Sequence, residues 1–386
     1  MTKLEELIQK LCPNGVEHKS LNEVSEMKRG TSITKKDIVE GEIPVVSGGR
    51  EPAYYCDKYN RDGETITVAG SGAGAGYVQY WTKPIFVCDA FSIQGNPGIQ
   101  TKYIYYFLTN IQDYIYSTKK GGGVPHVHIS SIENVSVPVP PLPVQREIVR
   151  ILDNFTELTA ELTAELTARK QQYAYYRDKL LTPRTDYRHG KIIDMLKQPI
   201  TDGPHTTPEL MEDGIPFLSV EAVFDGKIHF EKRRGNITPE FDAECCKKYK
   251  PQKHDIFMVK SGSTTGKVGY VDTDERFNIW SPLAAMRVNS ENSSRYLFHL
   301  LQSKMVQQQV VAKASHGSQP NLSMRALEQF DVVIPPLDIQ LRLANVLDNF
   351  DAICTDLNIG LPAEIEARQK QYEYYRDKLL TFTPAD

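Results

Sequence analysis

The sequence predicts an α+β protein built twice: two β-rich globular parts, each followed by a long helix, with the two helices pairing as a coiled coil. Three observations predict it. Arg169-Lys-Gln-Gln-Tyr-Ala-Tyr-Tyr-Arg-Asp-Lys-Leu-Leu-Thr182 recurs as Arg368-Gln-Lys-Gln-Tyr-Glu-Tyr-Tyr-Arg-Asp-Lys-Leu-Leu-Thr381, identical at eleven of fourteen positions. Apolar residues upstream of each copy fall at helical steps of three and four. The segments before them alternate with period two in short runs bounded by Gly and Pro, the pattern of strands.

Composition narrows the classes. The chain has 386 residues, 45 Lys plus Arg against 49 Asp plus Glu, and 40% apolar residues, enough for two or three cores and unlike a disordered chain. Its formal net charge of −4 gives nucleic acid no support from composition alone. No apolar run reaches the ~18 residues of a membrane span, and Met1-Thr-Lys-Leu-Glu-Glu-Leu7 carries no secretory apolar core. The six cysteines are scattered without a CxxC pair, so a reducing, cytoplasmic setting is expected.

The first globular part covers 1–142. Helices are expected over Thr2 to Leu11 and Lys102 to Ile115, with strands at Thr65–Val68, Gly76–Trp81 and Pro84–Val87. A spacer helix, 143–182, follows. Pro141 and Pro143 suit its first turn, and Thr182-Pro183 ends it. Phe155, Leu158, Leu162, Leu166, Tyr173, Tyr176 and Leu180 form one narrow apolar seam on about 58 Å of helix. So narrow a stripe calls for a partner helix.

The second globular part, 183–336, has strands at Asp255–Val259 and Val268–Val271 and a helix over Ser294 to Lys313. Val68-Ala-Gly-Ser-Gly72 with Gly76-Tyr77-Val78 is faintly echoed by Val259-Lys-Ser-Gly262 with Gly269-Tyr270-Val271. The last segment, 337–386, repeats the seam with Phe350, Ile353, Leu357, Leu361, Ile365, Tyr372, Tyr375 and Leu379. It carries four extra residues, and Gly360 and Pro362 should interrupt it. Pro140-Pro-Leu-x-x-Gln145 with Leu152-Asp-Asn-Phe155 recurs as Pro335-Pro-Leu-x-x-Gln340 with Leu347-Asp-Asn-Phe350.

Several catalytic motifs are imitated and fail. Gly70-Ser-Gly72-Ala-Gly74 lacks the crossover helix of a dinucleotide site before Asp89. Gly262-Ser-Thr-Thr-Gly266-Lys267 is one residue short of a phosphate loop. His126-Val-His128 lacks further metal ligands. No catalytic residues and no metal site are assigned. What remains is loops of Ser, Thr, Gly, His, Lys and Arg, the side chains that meet phosphates and base edges. The candidate DNA-contacting residues are Lys28, Arg29, Thr31, Lys35, Lys36, Ser71, Lys119 and Lys120 in the first part. In the second they are His205, Thr206, Arg233, Arg234, Lys260, Ser263, Thr264, Lys267, His316 and Gln319.

The Pro-Pro-Leu-x-x-Gln…Leu-Asp-x-Phe entries, the Gln-Tyr-x-Tyr-Tyr-Arg-Asp-Lys-Leu-Leu runs and the tandem Thr159-Ala-Glu-Leu162 and Thr163-Ala-Glu-Leu166 resemble the specificity subunit of type I restriction–modification systems. The resemblance covers essentially the whole chain, in the branch with tetrapeptide repeats in its central helix. It implies two target-recognition domains, 1–142 and 183–336, that read the halves of a bipartite double-stranded DNA site. It implies that the helices at 143–182 and 337–386 pack antiparallel as a pseudo-twofold spacer. Partners would be DNA, two modification subunits that methylate adenine, and restriction or translocase subunits. S-adenosylmethionine, ATP and magnesium would then sit on those partners, with no cofactor on this chain, no catalysis of its own and no membrane. The competing readings are a self-contained nucleotide-dependent DNA methyltransferase or nuclease, and a pure coiled-coil scaffold.

Overall fold

The computed structural model describes residues 2–33, 39–182, 186–315, 319–355 and 360–385. Lys35, Lys36, His316 and Leu357 lie outside the described residues. The chain forms two compact units, one of Met1–Glu161 with Ile365–Asp386 and one of Leu162–Glu364. Each unit therefore contains one globular part and one stretch from each tail.

In the first unit α1 (Lys3–Leu11) is opened by a capping box between Thr2 and Glu5. It leads to β1 (His18–Ser20), α2 (Leu21–Val24), β2 (Ser25–Arg29), β3 (Ile43–Val46) and β4 (Tyr54–Cys56). β5 (Thr65–Ala69), β6 (Val78–Trp81), β7 (Phe86–Val87) and β8 (Ala90–Gly95) complete the sheets. Then come α3 (Thr101–Asn110), α4 (Gln112–Ser117), β9 (Ser136–Pro138) and α5 (Leu142–Leu180), the last crossing into the second unit.

The second unit runs through β10 (Arg188–Lys191), β11 (Thr201–Asp202), β12 (Ile215–Leu218), β13 (Val223–Phe224), β14 (Lys227–Ile228) and β15 (Gly235–Ile237). After α6 (Pro239–Lys248) come β16 (Ile256–Val259), β17 (Val268–Tyr270), β18 (Asn278–Ile279) and β19 (Leu283–Met286). It closes with α7 (Ser294–Leu301), α8 (Lys304–Lys313), α9 (Met324–Glu328), β20 (Asp331–Ile334) and α10 (Leu337–Thr355); α11 (Leu361–Leu380) begins here and ends in the first unit.

The sheets make the duplication explicit. The order β2-β8-β5-β6 in one unit matches β11-β19-β16-β17 in the other. Likewise β4-β3-β7 matches β15-β12-β18, each with one antiparallel and one parallel pair, and β1-β9 matches β10-β20. Ile256–Val259, central in its sheet, is buried on both faces, which is why it reads as a continuous apolar run.

Two expectations about helices are corrected, and one helix is additional. The helix expected over 102–115 is two, separated at Ile111. The one expected over 294–313 is also two, because the Ser303 hydroxyl accepts from Val306 N–H and starts α8. Helix α6, capped by Thr238 and opened by Pro239, was not expected, since it presents little apolar periodicity. At the second tail, Gly360 lies outside any helix and Pro362 sits in the first turn of α11, where its missing N–H does no harm.

A candidate nucleic-acid interface

Each unit presents a glycine loop on the same scaffold. In the first, Gly72 N–H donates to the Pro125 carbonyl and Gly76 N–H to that of Ala69; in the second, Gly262 N–H donates to Pro320 and Gly266 N–H to Val259. Both glycine pairs have positive φ, +79° and +84° against +97° and +95°, a conformation that side chains resist. The ladders agree, with Val68 opposite Val78 and Met258 opposite Val268. Gly76 therefore corresponds to Gly266. The expected match of Gly76 to Gly269 is off by three residues, because the tripeptide Gly-Tyr-Val occurs in both parts out of structural register.

Much of the main-chain bonding of both loops is internal to the protein. The amides of Gly262, Thr265, Gly266 and Lys267 all donate to carbonyls of the protein, as do those of Gly70, Gly72, Ala75 and Gly76. A phosphate loop needs such amides free.

The side chains around these loops differ. In the first unit, a cleft beside the loop is lined by Arg29, Ser32, Asp89, His126 and His128. Ser71 donates to Asp89, and the ring centroids of His126 and His128 stand 6.0 Å apart, nearly parallel. Ser71 and Lys120 both bridge to His126, so the glycine loop meets the loop that follows α4 there. Lys28 and Thr31 are exposed at the end of β2, with Lys28 paired to Glu26 at 2.8 Å. Lys119 lies over the Tyr116 ring instead of pointing freely to solvent.

In the second unit, Lys260 is only 14% exposed and lies 3.3 Å from Asp202, a carboxylate 2% exposed. His205 approaches the same group at 3.4 Å, and Lys248 from the end of α6 also binds it. Arg234 lies over the Trp280 ring, 3.8 Å from its centroid. Arg233, Thr206, Ser263, Lys267 and Gln319 are exposed, and Thr264 is half-buried. Sequence reasoning missed Asp202, Lys248 and Trp280. Their partners are distant in the chain, and nothing local marks them.

The ladders place Arg29 opposite Phe91 and Asp202 opposite Ala284, in turn facing Val68 and Met258. Arg29 and Asp202 thus occupy the same register position with opposite charge. Gly30 and Gly203, the next residues, come so close to a neighbouring strand's backbone that a Cβ would stand 2.0 Å and 1.8 Å from the Cys88 and Ile279 carbonyl oxygens.

The repeated motifs brace each globular part to its helices. Gln145 is fully buried; its Oε1 accepts from Gln100 N–H at 2.8 Å and its Nε2 donates to the Pro140 carbonyl at 2.8 Å. Gln340 does the same with Ser293 N–H at 2.9 Å and Pro335 at 2.8 Å. The Tyr103 and Tyr296 hydroxyls donate to the Pro138 and Val333 carbonyls. Asp153 takes Lys102 and Tyr106, whereas Asp348 takes Arg295 and His299. Burial pushes the His299 imidazole below the ordinary histidine range. Neutral His299 donates from Nε2 to Asp348 at 2.7 Å and accepts at Nδ1 from the Tyr173 hydroxyl at 2.9 Å.

Of the nominated seam, Phe155 packs against Tyr372 and Tyr375 in the first unit, with Leu379 in the adjoining core. In the second unit Tyr176 stacks on Phe350 at 5.7 Å, and Leu166, Leu180 and Phe350 pack against the core that holds Tyr173. Leu162, Leu361 and Ile365 are half-buried, whereas Leu158 and Ile353 are 45% and 46% exposed. Among the described residues no cluster of His, Cys, Asp and Glu could hold a metal ion, and no helix is long and apolar enough to cross a membrane.

Comparison with known proteins adds the family. Residues 13–169 and 204–367 match the type I restriction modification DNA specificity domain. The chain is 33% identical over 294 residues to the Escherichia coli EcoR124I/EcoR124II specificity subunit, covering 73% of this chain and 70% of that one. A Haemophilus influenzae chain, provisionally named a type I restriction enzyme specificity subunit, is 30% identical over 99% of both chains. The fold is similar to that of the Mycoplasma genitalium type I S subunit, with a TM-score of 0.55 at 18% identity over 94% of both chains. It is also similar to a chain from a type I restriction–modification structure concerned with complex assembly, with a TM-score of 0.61 at 14% identity over 95% and 98%. With both repeats matched and full-length relatives aligned, the chain belongs to the type I restriction–modification DNA specificity family.

Proposed function

We propose that this chain is the non-catalytic subunit that gives a type I restriction–modification enzyme its DNA sequence specificity, in the branch with tetrapeptide repeats. Target-recognition domains at 1–142 and 183–336 read the two halves of a bipartite duplex site. The helices at 143–182 and 337–386 pair antiparallel and set the distance between them. Two modification subunits and the restriction subunits dock on this body and supply S-adenosylmethionine, ATP and magnesium chemistry.

One observation carries the reading. The same sheet and glycine loop occur twice with different side chains at matched positions, Arg29 against Asp202 and Gly70 against Lys260, while the tail motifs repeat almost unchanged. A constant frame with variable faces suits two different base sequences read at one spacing. The unequal surroundings of Lys260 and Lys267 divide their roles. Lys267 and Ser263 are free to meet a backbone phosphate, whereas Lys260 is held.

The test is to express the chain with its modification partner in a host and map the methylated adenines. The expected result is a two-part sequence with a fixed gap, lost when either glycine loop is replaced. Methylation of one continuous sequence, or transfer of a methyl group by the purified chain alone from labelled S-adenosylmethionine, would overturn it.

A further inference from the structure

We infer that Asp202 is a positioning residue for DNA specificity in the second domain, acting by holding Lys260 and Lys248 in fixed places and offsetting their charge. The inference rests on the proposed DNA-reading role of that domain. Asp202 ends β11, with its carboxylate 2% exposed, and two lysines and a histidine converge on it: Lys248, Lys260 at 3.3 Å and His205 at 3.4 Å. Lys248 also donates to the Gly203 carbonyl at 3.4 Å. The two lysines come from α6 and from the glycine loop, so the carboxylate ties three segments together.

A buried acid with one partner is an ordinary ion pair. Here two lysines face one carboxylate, and the Lys248 and His205 side chains remain 50% and 75% exposed. The group is left net positive on an open face but with its ammonium groups immobilised. Immobilised donors discriminate between base edges, whereas free lysines follow any phosphate. The walls of the site are equally fixed. Gly203 lies against the Ile279 carbonyl, Ser281 N–H donates to Pro204 at 3.2 Å, and Lys260 N–H donates to Pro282 at 2.9 Å. The first domain has Arg29 where Asp202 stands and Gly70 where Lys260 stands. Its cation lies on β2 and not on the glycine loop.

Asp202→Asn removes one negative charge and keeps the shape. The experiment assembles the full chain with its modification partner, maps methylated sites, and measures duplex binding at several salt concentrations and one pH. The expected result is a degenerate second half-sequence with the first unchanged. Discrimination against a scrambled second half-site should fall about tenfold, the scale of one mismatched base pair. The salt slope should steepen by about one unit as a lysine is released to phosphate. The double variant Asp202→Asn with Lys260→Gln restores the charge balance and should bring the salt slope back.

A melting temperature lowered equally in both variants, with the slope unmoved, makes Asp202 merely structural and overturns the proposal. If Lys248→Ala with Lys260→Ala weakens duplex binding while Asp202→Asn changes neither slope nor half-sequence, the proposal also fails and the DNA-reading role stands. If none of these variants alters duplex binding, the DNA-reading role of this face fails as well.

Discussion

Replacing Gln145 or Gln340 by Met tests whether the repeated motif is a brace or an accident of ancestry. Met keeps the volume and deletes both the acceptor and the donor. In the first unit the Gln100 N–H and the Pro140 carbonyl each lose a partner 2.8 Å away. In the second the Ser293 N–H and the Pro335 carbonyl do the same. An unpaired polar group at such a site costs about 1–3 kcal/mol, and the added apolar burial returns about 1 kcal/mol. The expected loss is about 3 kcal/mol for either variant. At roughly 2–4 °C per kcal/mol for a unit of this size, the affected transition falls by about 6–12 °C. Thermal melts followed by near-ultraviolet circular dichroism give the shift. Hydrogen exchange locates it, with protection lost at Gln100 in one variant and at Ser293 in the other. Because the two networks are near copies, each is a control for the other. Losses below about 1 kcal/mol in both, or a large loss in one with none in its twin, refute the reasoning.

Glu147 is held down to about 2 by hydrogen bonds from Arg150 and Lys3. A carboxylate lowered in the folded state stabilises above its ordinary range and loses that contribution as pH falls through about 4 towards 2. Glu147→Gln should therefore cost under about 1 kcal/mol near neutrality, its cationic partners being half-exposed or more, and nothing near pH 2, read from urea midpoints at both pH values. Gly203→Ala places a methyl group against the Ile279 carbonyl and should cost about 2–3 kcal/mol. Gly262→Ala meets open space but a φ of +97° and should cost about 1 kcal/mol; equal costs in chemical denaturation would contradict the geometry. Deleting Thr159 to Leu162 removes about 6 Å of helix. The methylated site should keep both half-sequences and lose about two base pairs of gap; a changed half-sequence would count against the spacer role.

The tails were legible because their signals are local. Prolines at the entry, steps of three and four, and a repeat with eleven identities in fourteen leave little choice of conformation. The long strands of the central sheets were legible for the same reason. The small ones were not: Asn278–Ile279 and Thr201–Asp202 each span two residues, and a two-residue strand exists only through its neighbours. The loops failed in a more instructive way. Lys260 reads in sequence as one more loop lysine. Its environment is decided by Asp202, 58 positions earlier, and Lys248, 12 positions earlier, brought together by β11 and α6. Arg234 likewise rests on Trp280. Charge seen along a chain says which groups are present, whereas pairing across a sheet says which are available.

The joints made by Gln145 and Gln340 have a consequence for how such a protein changes over generations. Nearly everything those two amides touch is main chain: Gln100, Gly98 and Pro140 in one case, Ser293 and Pro335 in the other, with Asn292 the single side chain involved. A hinge fitted to peptide groups is indifferent to the identity of the residues that carry them. Mutation can rewrite the outer face of either globule, or an exchange of genetic material can replace it whole, without disturbing its seating.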